Sequence, residues 1–428
     1  MNAKDFALDL IEFLHQGSSA YQAVEETARQ LKENGYRELT SGEEWTLQEG
    51  DKVYFIKNGT ALFAARIGEG SYQKGFHIIG SHSDSPGFRI KPNCEMLQDG
   101  YMKLNTEVYG GPILNTWLDR PLSAAGRVSL KGEHPMTPKM QCVDFKRPLV
   151  YIPNAAIHMN REVNKGFELN RQQHVLPVMG LTEEKQVKDF FRTLLAKELA
   201  VSPEDILDYE LYLYETAKGE LVGVQEEFIS SKRMDNLSMA HASLKALTET
   251  QGTGIKVFAL YDNEEVGSRT KQGAGSLTLA HFLERLVLGL GADRKDYLEA
   301  LDRSFLISAD LAHAVHPNFT EYADPTNRPR MNQGPVIKIA ANQSYTSDAS
   351  STAVFMGLCQ AAQVPCQTFV NRSDKSGGST IGPISAQFLP IASVDIGNAI
   401  LGMHSIREFA GVQDHFDVYR VFKIFYDL

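Results

Sequence analysis

Short apolar runs that break off into clusters of charge recur along this chain. Residues 256–261, Lys-Val-Phe-Ala-Leu-Tyr, end in Asp262, Asn263, Glu264 and Glu265, and then in glycine at 267. Residues 75–80, Gly-Phe-His-Ile-Ile-Gly, run into Ser-His-Ser-Asp-Ser-Pro at 81–86, and the apolar run 304–309 stops at Asp310. Runs of this length between polar punctuation predict buried strands. Amphipathic stretches at helical spacing lie between them, among them 238–248 and 347–363, and residues 1–14 interleave acids with apolar positions in the same way. Helices and apolar strands in alternation predict an α/β chain, specifically an α/β/α sandwich. From about 89 to 224 the character changes: extended segments at 101–108 and 126–130 are followed by charged helical sequence near 183–198.

The abrupt strand ends are where chemistry is expected. In an open α/β sheet, ligands collect in the crevice beyond the carboxyl ends of the strands, so residues far apart in sequence converge there. Acids crowded at such a place repel one another unless a divalent cation supplies positive charge or some stay protonated. An acidic turn in water is the plain alternative for 262–265. Asp235, just before an amphipathic helix, reads equally as an N-cap, and His404, after a glycine-punctuated loop, as a structural histidine. Taken together, His82, Asp235, Glu265, Asp310 and His404 offer two imidazoles and three carboxylates. That set suits a pair of divalent ions sharing a bridging carboxylate, zinc first, with manganese or cobalt tolerating the same donors. Because His82 precedes 89–224 and the other four follow it, that region reads as an insertion into one catalytic domain made of 1–88 and 225–428.

Composition narrows the partners. The chain of 428 residues is 43% hydrophobic and long enough for two or three domains. Its 43 Lys and Arg against 53 Asp and Glu give a formal charge of -10, which argues against broad nucleic-acid binding. The N-terminal segment lacks the continuous apolar centre of a secretory signal, and no stretch approaches the roughly 20 apolar residues of a spanning helix. No membrane partner and a cytoplasmic location are therefore expected. Cys94, Cys142, Cys359 and Cys366 form no CxxC pair, and their sparse placement suits a reducing compartment.

Longer motifs now fall into order: Ser-His-Ser-Asp-Ser-Pro at 81–86, Tyr-Gly-Gly-Pro at 109–112, Trp-Leu-Asp-Arg-Pro-Leu-Ser-Ala-Ala-Gly-Arg-Val at 117–128, Ala-Ile-His-Met at 156–159, Arg-Met-Asp-Asn-Leu at 233–237, Tyr-Asp-Asn-Glu-Glu-Val-Gly-Ser at 261–268, Ser-Ala-Asp-Leu-Ala-His-Ala-Val-His-Pro-Asn at 308–318 and Gly-Met-His-Ser-Ile-Arg-Glu at 402–408. In these the chain resembles the M18 metallopeptidases, which include the aspartyl aminopeptidases, over almost its whole length. The resemblance implies a catalytic domain of the dinuclear metallo-aminopeptidase type. Asp235 would bridge two metals, His82 and Asp310 would complete one site, and Glu265 and His404 the other. Glu264 would be the general base, and Asp84 would orient His82. The inserted β-rich region would serve dimerisation, and dimers would build a tetrahedral dodecamer in which His158 reaches a neighbouring subunit's site to stabilise an oxyanion. A packed loop histidine is the other reading of His158. Lys338 would pair with an acidic Asp or Glu side chain of a peptide with a free N-terminus, with Tyr345 and Met403 as further substrate-binding candidates. A lysine with a buried stem and solvated head is the alternative there.

Three rival functions stay open. A neutral-residue aminopeptidase or a related dinuclear metallo-acylase or carboxypeptidase would keep the metals and the base, while a noncatalytic scaffold would not need them. His313 and His316 are expected to bond the loops around Asp310. The glycine-rich stretch 376–380 lacks the Gly-Lys-Ser/Thr ending of a phosphate loop and reads as a strand-to-helix turn near substrate. Asp119 and Arg120 read as an interface salt bridge, and 109–112 as a tight turn.

Overall fold

The apolar runs become the central strands of a nine-stranded sheet. In the computed structural model, which describes residues 2–183, 188–375 and 377–428, its order is Arg37–Glu38, Lys52–Lys57, Ala61–Ile67, Ile255–Tyr261, Phe76–His82, Phe305–Ala309, Ala392–Gly397, Val336–Ile339 and Gln367–Val370. The four strands from Ile255–Tyr261 to Ala392–Gly397 run parallel to one another. Tyr261 stands opposite His82, and Ser308 opposite Gly80, so their carboxyl ends lie at one edge. Val336–Ile339 runs antiparallel to Ala392–Gly397.

Side chains of a strand alternate between faces, and here both faces are apolar. Ile79, Phe258, Leu260, Ile307 and Val394 share one core with Leu10 and Leu14 of the helix Ala3–Gln16, Leu244 of Met234–Glu249 and Phe422 of Val412–Asp427. Ile78, Val257, Ala259 and Leu306 share another with Phe282 and Leu286 of Thr278–Gly289 and Ala300 of Arg294–Asp302. Helices thus cover both faces, which makes the α/β/α sandwich. Phe258 is fully buried, and truncating such a side chain to alanine costs about 3–5 kcal/mol. Helix starts follow local chemistry: Asn2 Oδ1 accepts the Asp5 N–H at 2.9 Å, and Asp348 and Ser351 close a reciprocal capping box on Ala349–Ala361.

The sandwich belongs to a unit made of Met1–Asp84, Gly219–Met403 and Glu408–Leu428. A smaller sheet, in the order Glu220–Val222, Phe228–Ser231, Glu408–Gly411, Ala399–Leu401 and Ala312–His313, lies within it. The second unit holds Ser85–Lys218 and His404–Arg407. The divisions fall at 84/85 and 218/219 because Gly87–Gln98 pairs with strands of the second unit, whereas Glu220–Val222 pairs with Phe228–Ser231 in the first.

The second unit is built on strands. Ile206–Glu215 pairs with both Gly87–Gln98 and Pro121–Leu130, and Tyr101–Tyr109, Val178–Leu181 and Val150–Tyr151 complete a closed circuit of neighbours. Closure pairs both edges of these six strands, while a seventh, Lys139–Asp144, adds to Pro121–Leu130 outside the circuit. Gly126 permits it locally, since a Cβ there would lie 2.0 Å from the Glu210 carbonyl oxygen. Phe88, Leu104, Trp117, Val128 and Leu213 fill this unit's core. The charged helix expected near 183–198 is Phe190–Leu199; residues 184–187 lie outside the described residues. Among the described residues no helix is long and apolar enough to cross a membrane.

Candidate active site

Two neighbouring parallel strands deliver the first donors: His82 is the last residue of Phe76–His82, and Asp310 directly follows Phe305–Ala309. Asp235 comes from the start of Met234–Glu249, where its φ of -80° and ψ of 107° are not helical. The residue at the N-cap position of this helix is Arg233, and Asp235 lies one residue inside its start. Its N–H donates instead to Glu408 Oε2 at 2.9 Å, and its carboxylate turns to His82. His82 Nε2 lies 3.4 Å from Asp235 Oδ1 and 3.6 Å from Asp310 Oδ1. All three residues are buried.

Asp84 organises the opposite side. His82 Nδ1 is 3.1 Å from the Asp84 carbonyl oxygen and 3.3 Å from its Oδ1, which suits a proton on Nδ1 and leaves Nε2 facing two carboxylates. The Asp84 carboxylate also accepts the N–H groups of Glu264 and Glu265, at 3.1 Å each. A tight turn carries these two acids: Asn263 has φ of 61° and Gly267 φ of 97°, so the chain reverses within a few residues of the strand end.

The electrostatics expose the need for cations. Burial pushes the Glu264 carboxyl up to about 8; His82 opposes the rise, and Asp310, Asp84 and Asp235 add to it. Burial, then Asp235, holds Glu265 well above the usual carboxylate range. Asp262 is pushed up to about 7 by burial and then by Asp84. Burial works against an imidazolium at His82, but the carboxylates of Asp235, Asp310 and Asp84 outweigh it and raise its pKa. Without a cation these acids ionise together only at high cost. The donors fit divalent metal: His82, Asp235 and Asp310 bring ligand atoms within 4.8 Å of one another, as do His82, Glu264 and Glu265. They are imidazole and carboxylate only, as zinc, manganese or cobalt accept.

The remaining expected residues have distinct settings. Lys338 is buried to its tip, 2% exposed, which excludes the solvated head. Its Nζ donates to the Leu311 carbonyl at 3.0 Å, lies 3.6 Å from Asp310 Oδ2 and sits 5.3 Å from the centre of the buried Tyr345 ring. Burial opposes its charge, but Asp310, Tyr345, Asp395 and Asp235 together raise its pKa. Met403 is partly buried at the end of a first-unit segment. His404 belongs to the second unit, with φ of 67° and Nδ1 3.1 Å from the Gly111 carbonyl oxygen. His158 lies on an exposed turn of that unit, so it is not a packed loop histidine.

His313 meets the Phe369 ring at 5.9 Å, and His316 Nδ1 accepts the Asn318 N–H at 3.1 Å; both line a cavity of about 250 Å³. Asp119 and Arg120 do not pair with each other: Asp119 accepts from the Asn154 N–H at 2.9 Å, and Arg120 bonds Glu215 at 2.6 Å. Ser376 lies outside the described residues. The supporting roles of Glu408 and Gly111 were missed by sequence reasoning; only their place within the 402–408 and 109–112 motifs marked them.

Fold and donor set together define a metal-dependent hydrolase on an α/β/α sandwich. Comparison with known proteins sharpens this. The family model for aminopeptidase I zinc metalloprotease (M18) matches residues 13–426. The probable M18 family aminopeptidase 2 of Clostridium novyi (strain NT) is 53% identical over 431 residues, 100% of both chains. That of Pseudomonas aeruginosa (strain LESB58) is 39% identical over 421 residues, 97% of each. Among solved structures, the Ape4 and Nbr1 complex gives a TM-score of 0.94 at 35% identity, covering 99% of this chain and 86% of that one. The S. cerevisiae mApe1 dodecamer gives 0.85 at 28%, covering 99% and 97%. The chain belongs to the M18 family of zinc metallo-aminopeptidases and is a peptide hydrolase.

Proposed function

We propose that this enzyme removes N-terminal Asp or Glu from peptides, using two divalent cations, zinc first and manganese or cobalt as alternatives. The observation that carries the reading is the buried convergence of His82, Asp235 and Asp310 beside a Glu264–Glu265 turn pinned by Asp84. Asp235, His82, Asp310 and Glu265 would hold the cations, with Asp235 shared between them, and His404 would join Glu265, the last assigned from the motif at 402–408. When bound, the cations supply Lewis acidity toward water and the scissile carbonyl.

The side chains perform the rest. Glu264 receives the proton of the attacking water and returns it to the departing amine. Asp84 keeps His82 Nε2 turned inward by engaging Nδ1. Lys338 meets the acidic side chain in a desolvated setting, where an ion pair counts for more than on a surface. Tyr345, whose ring lies beside Lys338, and Met403 complete the proposed substrate-binding set. His158, exposed on its turn, donates to the developing oxyanion of a neighbouring subunit. The second unit serves dimerisation, and dimers build a tetrahedral dodecamer; support comes from the S. cerevisiae mApe1 dodecamer. The four free thiols suit the cytoplasm.

The test combines structure and substrates. Anomalous scattering from metal-loaded crystals is expected to show two peaks flanking Asp235; a single peak elsewhere overturns the centre. Glutamyl and aspartyl amides are expected to outcompete leucyl and alanyl amides, and equal efficiencies refute acidic selectivity. N-acetylation of the peptide should stop cleavage, whereas continued cleavage assigns the site to an acylase or carboxypeptidase.

A further inference from the structure

Asp395 is a fully buried acid that the chemistry above leaves unused. It lies on Ala392–Gly397 with 0% exposure. Ser308 is its register partner on one neighbouring strand. On the other, Ile337 pairs with Ile396 in antiparallel register, which puts Lys338 across from Asp395. Cross-strand partners share a sheet face, so Lys338 and Asp395 project to the same side.

The carboxylate also gathers two loops. Asp395 Oδ2 accepts the Thr346 N–H at 2.6 Å, and Oδ1 accepts the Thr380 hydroxyl at 2.7 Å. Its own N–H donates to Ser347 Oγ at 2.9 Å. Thr346 follows Tyr345, the ring beside Lys338. A Cβ on Gly382 would stand 2.5 Å from Asp395 Oδ2, so only glycine lets the start of Ile381–Ser385 approach so closely.

Burying an acid is costly unless it is paired and hydrogen-bonded, and a neutral amide would satisfy part of these donors more cheaply. A charge at 395 has a reason if Lys338 needs it. Lys338 has Asp310 at 3.6 Å, but in the proposed reading Asp310 gives its charge to a cation. A second acid on the same sheet face then keeps the ammonium balanced before substrate arrives.

We propose that Asp395 is the positioning residue of the acidic-side-chain pocket, holding Lys338 through its charge and the turn at 344–347 through its hydrogen bonds. The proposal rests on the assignment of Lys338 to substrate recognition.

The test compares glutamyl-alanine with alanyl-alanine in wild type, Asp395→Asn and Thr380→Val, with metal content and Tm measured alongside. In Asp395→Asn the glutamyl kcat/KM is expected to fall at least about 10-fold more than the alanyl value, mainly through KM, within the roughly 100-fold cost of a 1 Å misplacement. A folded, metal-loaded variant with the wild-type ratio overturns the proposal. If Asp395→Asn does not fold, Thr380→Val decides: a smaller loss of glutamyl preference supports the role, and no loss overturns it. A wild type without acidic preference would instead sink the Lys338 assignment; the turn-holding role is then read from alanyl-alanine KM in Asp395→Asn, where a rise supports it and none overturns it.

Discussion

Replacing Asp84 by asparagine isolates what this residue does without removing a proposed ligand. The side chain keeps its size but exchanges one acceptor oxygen for an NH2 group. In the wild type both oxygens are occupied, by the N–H groups of Glu264 and Glu265 at 3.1 Å, with His82 Nδ1 3.3 Å from one of them. The amide can therefore serve only one of the two N–H groups and sets a donor against the other. Losing a hydrogen bond to a charged acceptor costs about 1.5–3 kcal/mol. Losing the outer partner of a ligating histidine typically costs about 10–100-fold in metal affinity or activity, which is about 1.4–2.7 kcal/mol. The two estimates agree, so Asp84→Asn is expected to lose about 10–100-fold in both metal affinity and kcat/KM. Competition against a chromophoric chelator reads the first, and glutamyl-amide hydrolysis the second. A folded variant within twofold of wild type in both would refute the argument that Asp84 orients His82 and the Glu264–Glu265 turn.

Other substitutions separate the remaining roles. Glu264→Gln is expected to lower kcat by about 100- to 10,000-fold, the usual worth of a general base, while keeping bound metal by elemental analysis; retained turnover removes the base assignment. His158→Ala is expected to lower kcat by about 100-fold, the low end for an oxyanion donor, in particles that remain assembled by sedimentation, and a normal kcat returns His158 to a surface role. Stability should also depend on pH through Lys256, whose pKa burial lowers from 10.5 to about 7, with its Nζ 2.9 Å from His77 Nδ1. Between about pH 7 and 10.5 the unfolded chain holds a proton that the folded chain has released, so this group makes stability rise with pH by up to ~1.4 kcal/mol per unit. Lys256→Met should flatten that rise in thermal melts, and an unaltered slope rejects the assignment.

The sheet was legible because burial on both faces makes its central strands continuously apolar, and the polar residues that end them are abrupt. Residues 256–261 and 304–309 carry that signal plainly, and Ile255–Tyr261 and Phe305–Ala309 follow it closely. The partners of Ile206–Glu215 were not legible, because pairing both Gly87–Gln98 and Pro121–Leu130 depends on residues scores of positions away. Periodicity reports which face of a strand is apolar, not which strand lies beside it.

The donors followed a similar rule. His82, Glu264, Glu265 and Asp310 stand at the ends of apolar runs, where strand ends concentrate function, so their position alone singled them out. Asp235 did not share that signal, and its true geometry, a non-helical residue inside the first turn, emerges only once Glu408 takes its N–H. Asp395 was hidden for the opposite reason. It sits inside the apolar run 391–396, where a single acid looks like an interruption of a strand, and its meaning depends on Lys338 arriving across the sheet and on two loops that bring Thr346 and Thr380. A buried acid on a central strand therefore points to function when its donors come from several distant segments. Retaining the charge through folding constrains all of them at once, which no local helix or strand preference requires.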